Sequence, residues 1–447
     1  MSNHTSGPGR RIRSTATTTL SGQMRPAADK SISHRSIILG SIAEGETRVE
    51  GLLEGEDVLR TVDAFRAMGV SINRLKAGHY TIEGQGLDGL QEPQDVLDMG
   101  NSGTAMRLLA GLLASQPFHS VLTGDESLRG RPMGRVTTPL AKMGAQIRGR
   151  DGGKLAPLAI QGSELVPIEY HSPVASAQVK SAVMLAALNT AGETVVVEPA
   201  ATRDHTERML TAFGAEIERD GNRIMVEGWP DLEGQNIEVP ADISAAAFPI
   251  VAALITPDSD ITLENVGMNP TRTGILDLLD AMGADIERLN PREAGGEPVC
   301  DLRVKHSQLK GIETDPEVVP RAIDEFPVFF VAAALAEGET IVNGAEELRV
   351  KESDRLHAMA LGLQALGATF EERPDGARIV GKPDGLAGGV DVDSLTDHRI
   401  AMSLLVAGLR CSEPVTVRRC DNINTSFPNF SDKMNKLGMR LEDLPNG

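Results

Sequence analysis

The chain has 447 residues, of which 40% are hydrophobic and only 3% aromatic, and carries a formal net charge of −19. That acidity disfavours nucleic acid or an anionic membrane as a partner, and the shortage of aromatic side chains disfavours a base-stacking surface. Cys300, Cys411 and Cys420 have no Cys-x-x-Cys spacing, which argues against disulfides and a structural zinc site.

A length of this order suits about two to four domains. The N-terminal stretch over 1–13 is polar and basic, without the apolar core of a signal peptide, and reads as a frayed tail. The longest apolar stretches, near 245–255 and 326–336, are too short for a membrane span. A soluble, cytoplasmic chain is expected.

A six-fold mark runs through the rest: a hydrophobic residue, then glycine, then a small or apolar residue, each time after a helical stretch. The copies are Met68-Gly69-Val70, Met143-Gly144-Ala145, Phe213-Gly214-Ala215, Met282-Gly283-Ala284, Leu366-Gly367-Ala368 and Leu437-Gly438-Met439. Their glycines are 75, 70, 69, 84 and 71 residues apart, which marks six repeated units.

Within unit three the pattern predicts a helix over 177–188, a strand over 193–198, a helix over 205–213, and a hairpin of strands 216–219 and 223–227. Unit five predicts an Ala-rich buried helix over 323–336, a strand over 339–343, a helix over 351–366 closed by Gly367, and a hairpin of strands 369–372 and 377–380. Each unit is therefore βαβαββ-like. Pro26-Ala27-Ala28-Asp29-Lys30-Ser31 is echoed 213 residues later, aspartate to aspartate, by Pro240-Ala241-Asp242-Ile243-Ser244. That distance is three units, so two domains of three units each are expected.

Charged residues recur at the start of the first helix of each unit. In chain order the clusters are Asp29-Lys30-Ser31-Ile32-Ser33-His34-Arg35, Gly100-Asn101-Ser102-Gly103-Thr104, Ala175-Ser176-Ala177-Gln178-Val179-Lys180, Ala241-Asp242-Ile243-Ser244, Ile323-Asp324-Glu325 and Thr396-Asp397-His398-Arg399. The second helices open with Arg129-Gly130-Arg131-Pro132, Thr202-Arg203-Asp204-His205, Pro270-Thr271-Arg272 and Lys351-Glu352-Ser353-Asp354-Arg355. Pro132 suits a first helical turn.

Helix N-termini carry unpaired N–H groups and partial positive charge. With Lys and Arg beside them they suit phosphates and carboxylates. Ser, Asp and Asn at such places are ordinarily caps, and a Lys-Glu-Ser-Asp-Arg run can be a solvated helix face. Capping alone does not predict Lys30, Arg35, Arg131, Arg355 and Arg399 at one phase of the repeat. His34 and His398 are each more simply structural, Glu325 reads as surface or supporting, and His171 and His205 lack metal-ligand spacing.

Taken in order, these motifs, with Asp324-Glu325-Phe326-Pro327 and Asp397-His398-Arg399-Ile400-Ala401-Met402, resemble the 3-phosphoshikimate 1-carboxyvinyltransferase (EPSP synthase) family from about Leu20 to the end. The wording around 347–355 and 202–207 is similar to its bacterial class II branch. The resemblance implies a two-domain inside-out α/β barrel, each domain three βαβαββ-like units around a pseudo-threefold axis, with substrates held in an interdomain cleft. The first domain is expected over 22–240, and the second over 1–21 and 241–447, with an N-terminal strand before residue 22 belonging to the second.

The implied reaction transfers the enolpyruvyl group of phosphoenolpyruvate to the 5-hydroxyl of shikimate 3-phosphate and releases phosphate. By resemblance, Lys30, Ser31, Arg35, Ser176, Gln178, Arg203, Asp324 and Lys351 bind shikimate 3-phosphate. Lys30, Gly103, Thr104, Arg131, Gln178, Arg355, His398 and Arg399 hold phosphoenolpyruvate. Asp324 is the expected base and Glu352 the proton donor, with Lys30 assisting. No metal or organic cofactor is expected, and the chain is expected to be a monomer.

Three departures stand out. Ala27-Ala28 replaces a Pro-Gly, at a cost of roughly 1 kcal/mol if positive φ is needed there. Thr425 stands where many members have lysine. Gly103 stands where glyphosate-insensitive class II relatives have alanine, which predicts glyphosate sensitivity. The sister enzyme that acts on UDP-N-acetylglucosamine typically has a cysteine in the loop matching Gly124–Gly130, and this loop has none. A non-catalytic anion-binding scaffold would account for the arginines but not for Asp324 and Glu352.

Overall fold

The computed structural model describes residues 9–445, and the first eight residues of the expected tail lie outside the described part. The chain forms two compact units. The N-terminal unit is Ala28–Val239 with Glu293–Glu297, and the C-terminal unit is the chain up to Ala27, Pro240–Arg292 and the chain from Pro298 on. Residues 22–27 therefore belong with the C-terminal unit rather than with the first domain. The cause is the strand Ser21–Met24, which pairs in parallel with Asp260–Gly267.

Three sheets of the N-terminal unit repeat one plan. The strands Glu44–Glu50, His119–Thr123 and Glu193–Val197 each pair antiparallel with the second arm of a hairpin and in parallel with a short edge strand. The edge strands are Asn236–Glu238, Leu97–Asp98 and Glu169–His171 respectively. Because Asn236–Glu238 follows the third unit yet joins the first sheet, the triplet closes on itself.

The C-terminal unit follows the same plan with two differences: the sheet around Glu339–Val342 has three strands, its parallel edge reduced to isolated bridges, and the last sheet takes a strand from the chain's start. In its last sheet the central strand is not hairpin-born: Arg11–Thr15 pairs antiparallel with both Val415–Arg418 and Arg440–Leu444. The frayed-tail reading of 9–13 is thus corrected. Ile12 is fully buried in that strand, and its ladder satisfies the backbone on both sides.

The first helices fill the middle of each unit. Lys30–Ile42, Gly103–Leu113 and Ala177–Ala187 do so in one, with Gly103–Leu113 packing on both others; Ile243–Ile255, Phe326–Ala334 and His398–Ala407 pack on one another in the other. All thirteen residues of Ile243–Ile255 are buried, as expected of a helix apolar all round. Small residues let these backbones approach: a Cβ on Gly111 would lie 2.1 Å from the carbonyl oxygen of Ala182. The second helices pack outside them, and the edge-to-face pair Phe248–Phe430 links the first helix of the C-terminal triplet to its last.

The glycine marks prove to be one motif repeated six times. Gly69, Gly144, Gly214, Gly283, Gly367 and Gly438 all have φ between +88° and +108°. In the first copy Val70 N–H donates to Phe65 O and Gly69 N–H to Arg66 O, the paired bonds of a Schellman cap. The other five copies make the same two bonds. The residue after each glycine donates its N–H to the carbonyl of an apolar residue five positions back, such as Met439 to Met434, which accounts for the fixed three-residue spacing.

Other expectations shift by a few residues. The helix expected over 323–336 starts at Phe326, and the helix expected over 351–366 starts at Arg355. There the Asp354 side chain accepts the His357 N–H at 3.0 Å and so caps the helix, leaving 351–354 as an open loop. Pro132 lies between the helices Glu126–Gly130 and Gly134–Lys142, not in a first turn, and Arg131 before it is extended, as a residue preceding proline favours. Ala28 is not among the residues with positive φ, so the strain considered there does not arise. No helix among the described residues is long and apolar enough to cross a membrane.

Candidate active site

In the N-terminal unit Lys30, Ser31, Arg35, Gly103, Thr104, Ser176 and Gln178 stand at three helix mouths, while Arg131 and Arg203 come from loops. The caps are real: Asp29, Ser102 and Ser176 side chains accept N–H groups of Ile32, Ala105 and Val179. Capping fixes the backbone direction there, and the charged side chains are then oriented by other contacts. Lys30, the first residue of its helix, forms an ion pair with the buried Asp57. Arg35, 5% exposed, donates to Thr206 Oγ1 (2.7 Å), Ser181 Oγ (2.9 Å) and the carbonyl of Ser31 (3.0 Å).

Gly103 and Thr104 open the second of these helices. Gln178 donates to Thr104 Oγ1 at 3.1 Å and accepts from Arg107 Nη1 at 2.5 Å. Arg131 donates to Asn101 through its carbonyl (3.3 Å) and side-chain oxygen (2.5 Å), while Asn101 donates to Asp125 at 2.7 Å. A Cβ at Gly103 would come within 2.8 Å of Arg107 Nη1 and 3.2 Å of Arg131 Nη1. Arg203 lies part-exposed in the loop between the strand Glu193–Val197 and the helix His205–Ala212.

His34 takes the structural place expected of it. It is fully buried, with Nδ1 2.8 Å from Thr61 Oγ1 and Nε2 3.4 Å from Ser102 Oγ. Burial, then the charges of Lys30 and Arg35, hold it well below the ordinary histidine value, so the ring is neutral.

The C-terminal unit builds a different centre, around one guanidinium. Arg355 is 1% exposed and donates to three carboxylates: Asp397 (2.9 Å), Asp324 (3.1 Å) and Glu352 (2.5 Å). Lys351 Nζ stands 3.6 Å from the same oxygen of Asp324. Ser353 donates to Asp397 at 3.0 Å. Arg399 donates to the carbonyl of Asp324 at 3.0 Å. His398 follows the cap residue Asp397 and is buried at the helix mouth.

Burial works against the charge on Arg355, but Asp397, Glu352 and Asp324 outweigh it and hold the guanidinium above its usual range. Burial likewise pushes the Asp397 carboxyl up, yet Arg355 prevails and its pKa lies below the ordinary value. The run 351–355 is therefore no solvated helix face. Four residues form a part-buried loop, and the fifth is the buried hub.

Several contributors escaped the sequence reading. Asp57, Arg107, Ser181, Thr206 and Asp397 hold the named residues in place; Thr206 and Asp397 sat inside motifs noted above without a role of their own. Glu325 is not at the surface: it is 1% exposed, accepts from Ser244 Oγ, and lies 3.9 Å from Arg399. Thr425 is buried and donates to the carbonyl of Asn422 at 2.7 Å.

Two α/β units of three repeats, one with cations at helix mouths and one with carboxylates ordered by arginine, suit a class of protein that handles anionic ligands. Residues 14–434 match the family described as EPSP synthase (3-phosphoshikimate 1-carboxyvinyltransferase). A 3-phosphoshikimate 1-carboxyvinyltransferase of Magnetococcus marinus is 77% identical over 440 residues, covering 98% of this chain and 99% of that protein. One from Halorhodospira halophila is 57% identical over 424 residues, covering 95% of each. Among solved structures, an EPSP synthase from Acinetobacter baumannii superposes with a TM-score of 0.88 at 50% identity, covering 97% of this chain and all of that one. The chain belongs to the EPSP synthase family and is an enolpyruvyl transferase of the shikimate pathway.

Proposed function

We propose that the transfer of the enolpyruvyl group from phosphoenolpyruvate to the 5-hydroxyl of shikimate 3-phosphate is divided among these residues as follows. Lys30, Ser31, Arg35, Ser176, Gln178 and Arg203, with Asp324 and Lys351, bind shikimate 3-phosphate. Gly103, Thr104, Arg131, Gln178 and Lys30, with Arg355, His398 and Arg399, hold phosphoenolpyruvate. Asp324 accepts the proton of the attacking hydroxyl as its oxygen bonds to C2 of phosphoenolpyruvate. Glu352 protonates the methylene carbon, and Lys30 assists. In the second half, phosphate leaves C2 and Glu352 recovers a proton from the methyl group, restoring the double bond.

The observation that carries this reading is the Arg355 centre. One buried guanidinium holds Asp324 and Glu352 at once, at 3.1 Å and 2.5 Å, which orders two carboxylates for opposite proton transfers. The sister reaction on UDP-N-acetylglucosamine is the natural alternative, and phosphate release separates them. Release from phosphoenolpyruvate should require shikimate 3-phosphate; release driven by the UDP-sugar would overturn the assignment.

Three finer points belong to the same reading. The chain is of the class II type, on the wording of 347–355 and 202–207. It is sensitive to glyphosate, because Gly103 leaves the space that an alanine Cβ would take beside Arg107 and Arg131. Gly103→Ala should raise the glyphosate inhibition constant sharply, and a wild type indifferent to glyphosate would refute the point. It works as a cytoplasmic monomer, the closed N-terminal triplet leaving no open sheet edge between its units; a larger mass by light scattering would contradict the monomer.

A further inference from the structure

The mechanism above makes no use of Lys180, the most deeply buried lysine-centred cluster of the N-terminal unit. Its side chain is 1% exposed, and its Nζ lies 3.0 Å from Glu198 Oε2 and 2.7 Å from Glu207 Oε1. Those carboxylates are themselves 1% and 8% exposed. Glu198 also accepts from the Thr202 hydroxyl and, at 3.5 Å, from its N–H. Neither oxygen of Glu207 finds a hydrogen bond of good geometry among the described residues, so its charge is met by Lys180 and, at 4.0 Å, Arg219.

Burying three charges is costly, and a well-packed apolar set of equal volume would serve stability as well or better. What the cluster does achieve is geometric. Lys180 sits on the helix Ala177–Ala187, two residues after Gln178, and grips both ends of the segment 198–207 that carries Arg203. The neighbouring Ser181 fixes the same segment through Thr206 (2.7 Å), and Thr206 orients Arg35.

We propose that Lys180 is a positioning residue for shikimate 3-phosphate: through Glu198 and Glu207 it sets the loop that presents Arg203 to the substrate's anionic group. This rests on the assignment of Arg203 given above. It touches no substrate itself.

Removing Lys180 alone would strand two buried carboxylates, so the informative variant is the charge-free triple Lys180→Met, Glu198→Gln, Glu207→Gln. It is compared with Arg203→Ala and with the four-fold combination, all checked for a cooperative unfolding transition. The expected result is a rise of about tenfold or more in KM for shikimate 3-phosphate in the triple variant. KM for phosphoenolpyruvate and kcat should stay within about twofold, and adding Arg203→Ala should have little further effect. An unchanged KM for shikimate 3-phosphate in the triple variant, with Arg203→Ala still raising it, would overturn the proposal and leave the Arg203 assignment standing. If Arg203→Ala alone leaves that KM unchanged, the assignment fails and the proposal falls with it.

Discussion

Arg35 lies in a first helix of the N-terminal unit and Arg355 opens a second helix of the C-terminal unit, and their surroundings differ in kind. The bonds described for Arg35, Arg107 and Arg131 end on hydroxyls, amides and carbonyls. Those of Arg355 end on three carboxylates. Neutral oxygens orient a guanidinium without themselves offsetting its charge, which suits the capture of an anion. Carboxylates fixed on a buried guanidinium are instead a means of placing proton acceptors and donors. On the proposed division of roles, the same repeated scaffold supplies a binding face in one unit and acid–base groups in the other.

The largest expected effect comes from breaking the second arrangement at its hub. Arg355→Leu would leave the buried Asp397 and its two neighbours without their shared cation, at a cost of about 3–5 kcal/mol in urea unfolding. A cost below about 1 kcal/mol would mean that the hub does not organise the cluster.

The two regions should also part company in pH. His34 is held below the ordinary value of 6.5 in the folded chain, so the unfolded chain binds the extra proton first. Its contribution is present above that value and is lost as pH falls from there, with a slope of at most ~1.4 kcal/mol per pH unit. Asp397 is depressed from 3.8, so its contribution is lost only as pH falls below that value, towards its folded-state pKa. His34→Gln should flatten stability against pH between about 6.5 and 5, and Asp397→Asn should change only the acid end. Coincident effects of the two variants would remove the contrast.

The smallest effect tests what the units share. A Cβ at Gly283 meets nothing within 4 Å, so Gly283→Ala isolates the price of positive φ, expected at about 1 kcal/mol. Thermal unfolding that leaves the midpoint unchanged would show that the cap does not hold the helix end.

How much of this was legible follows from how local each feature is. The Schellman caps use residues within one turn of Gly69 and its equivalents, so six copies could be counted in the sequence. Asp29, Ser102 and Asp397 announced helix mouths for the same reason. Asp57, Arg107 and Thr206 could not be read, because they reach Lys30, Gln178 and Arg35 from other elements. Residues 11–13 read as tail from their composition, because nothing local shows that the final sheet lacks its central strand; only the family resemblance implied an N-terminal strand there. The start of the helix at Arg355 was misplaced because Lys351 and Glu352 are compatible with a helix, and only the Asp354 cap excludes them.

The central claim is that Asp324, set by Arg355, removes the proton from the attacking hydroxyl. The direct test is Asp324→Ala, with phosphate release from phosphoenolpyruvate and equilibrium binding of shikimate 3-phosphate measured on the same preparation. Loss of a catalytic base predicts a fall in turnover of about 10²–10⁴-fold, with binding largely retained. Turnover near the wild-type rate, or binding lost in step with it, would contradict the account.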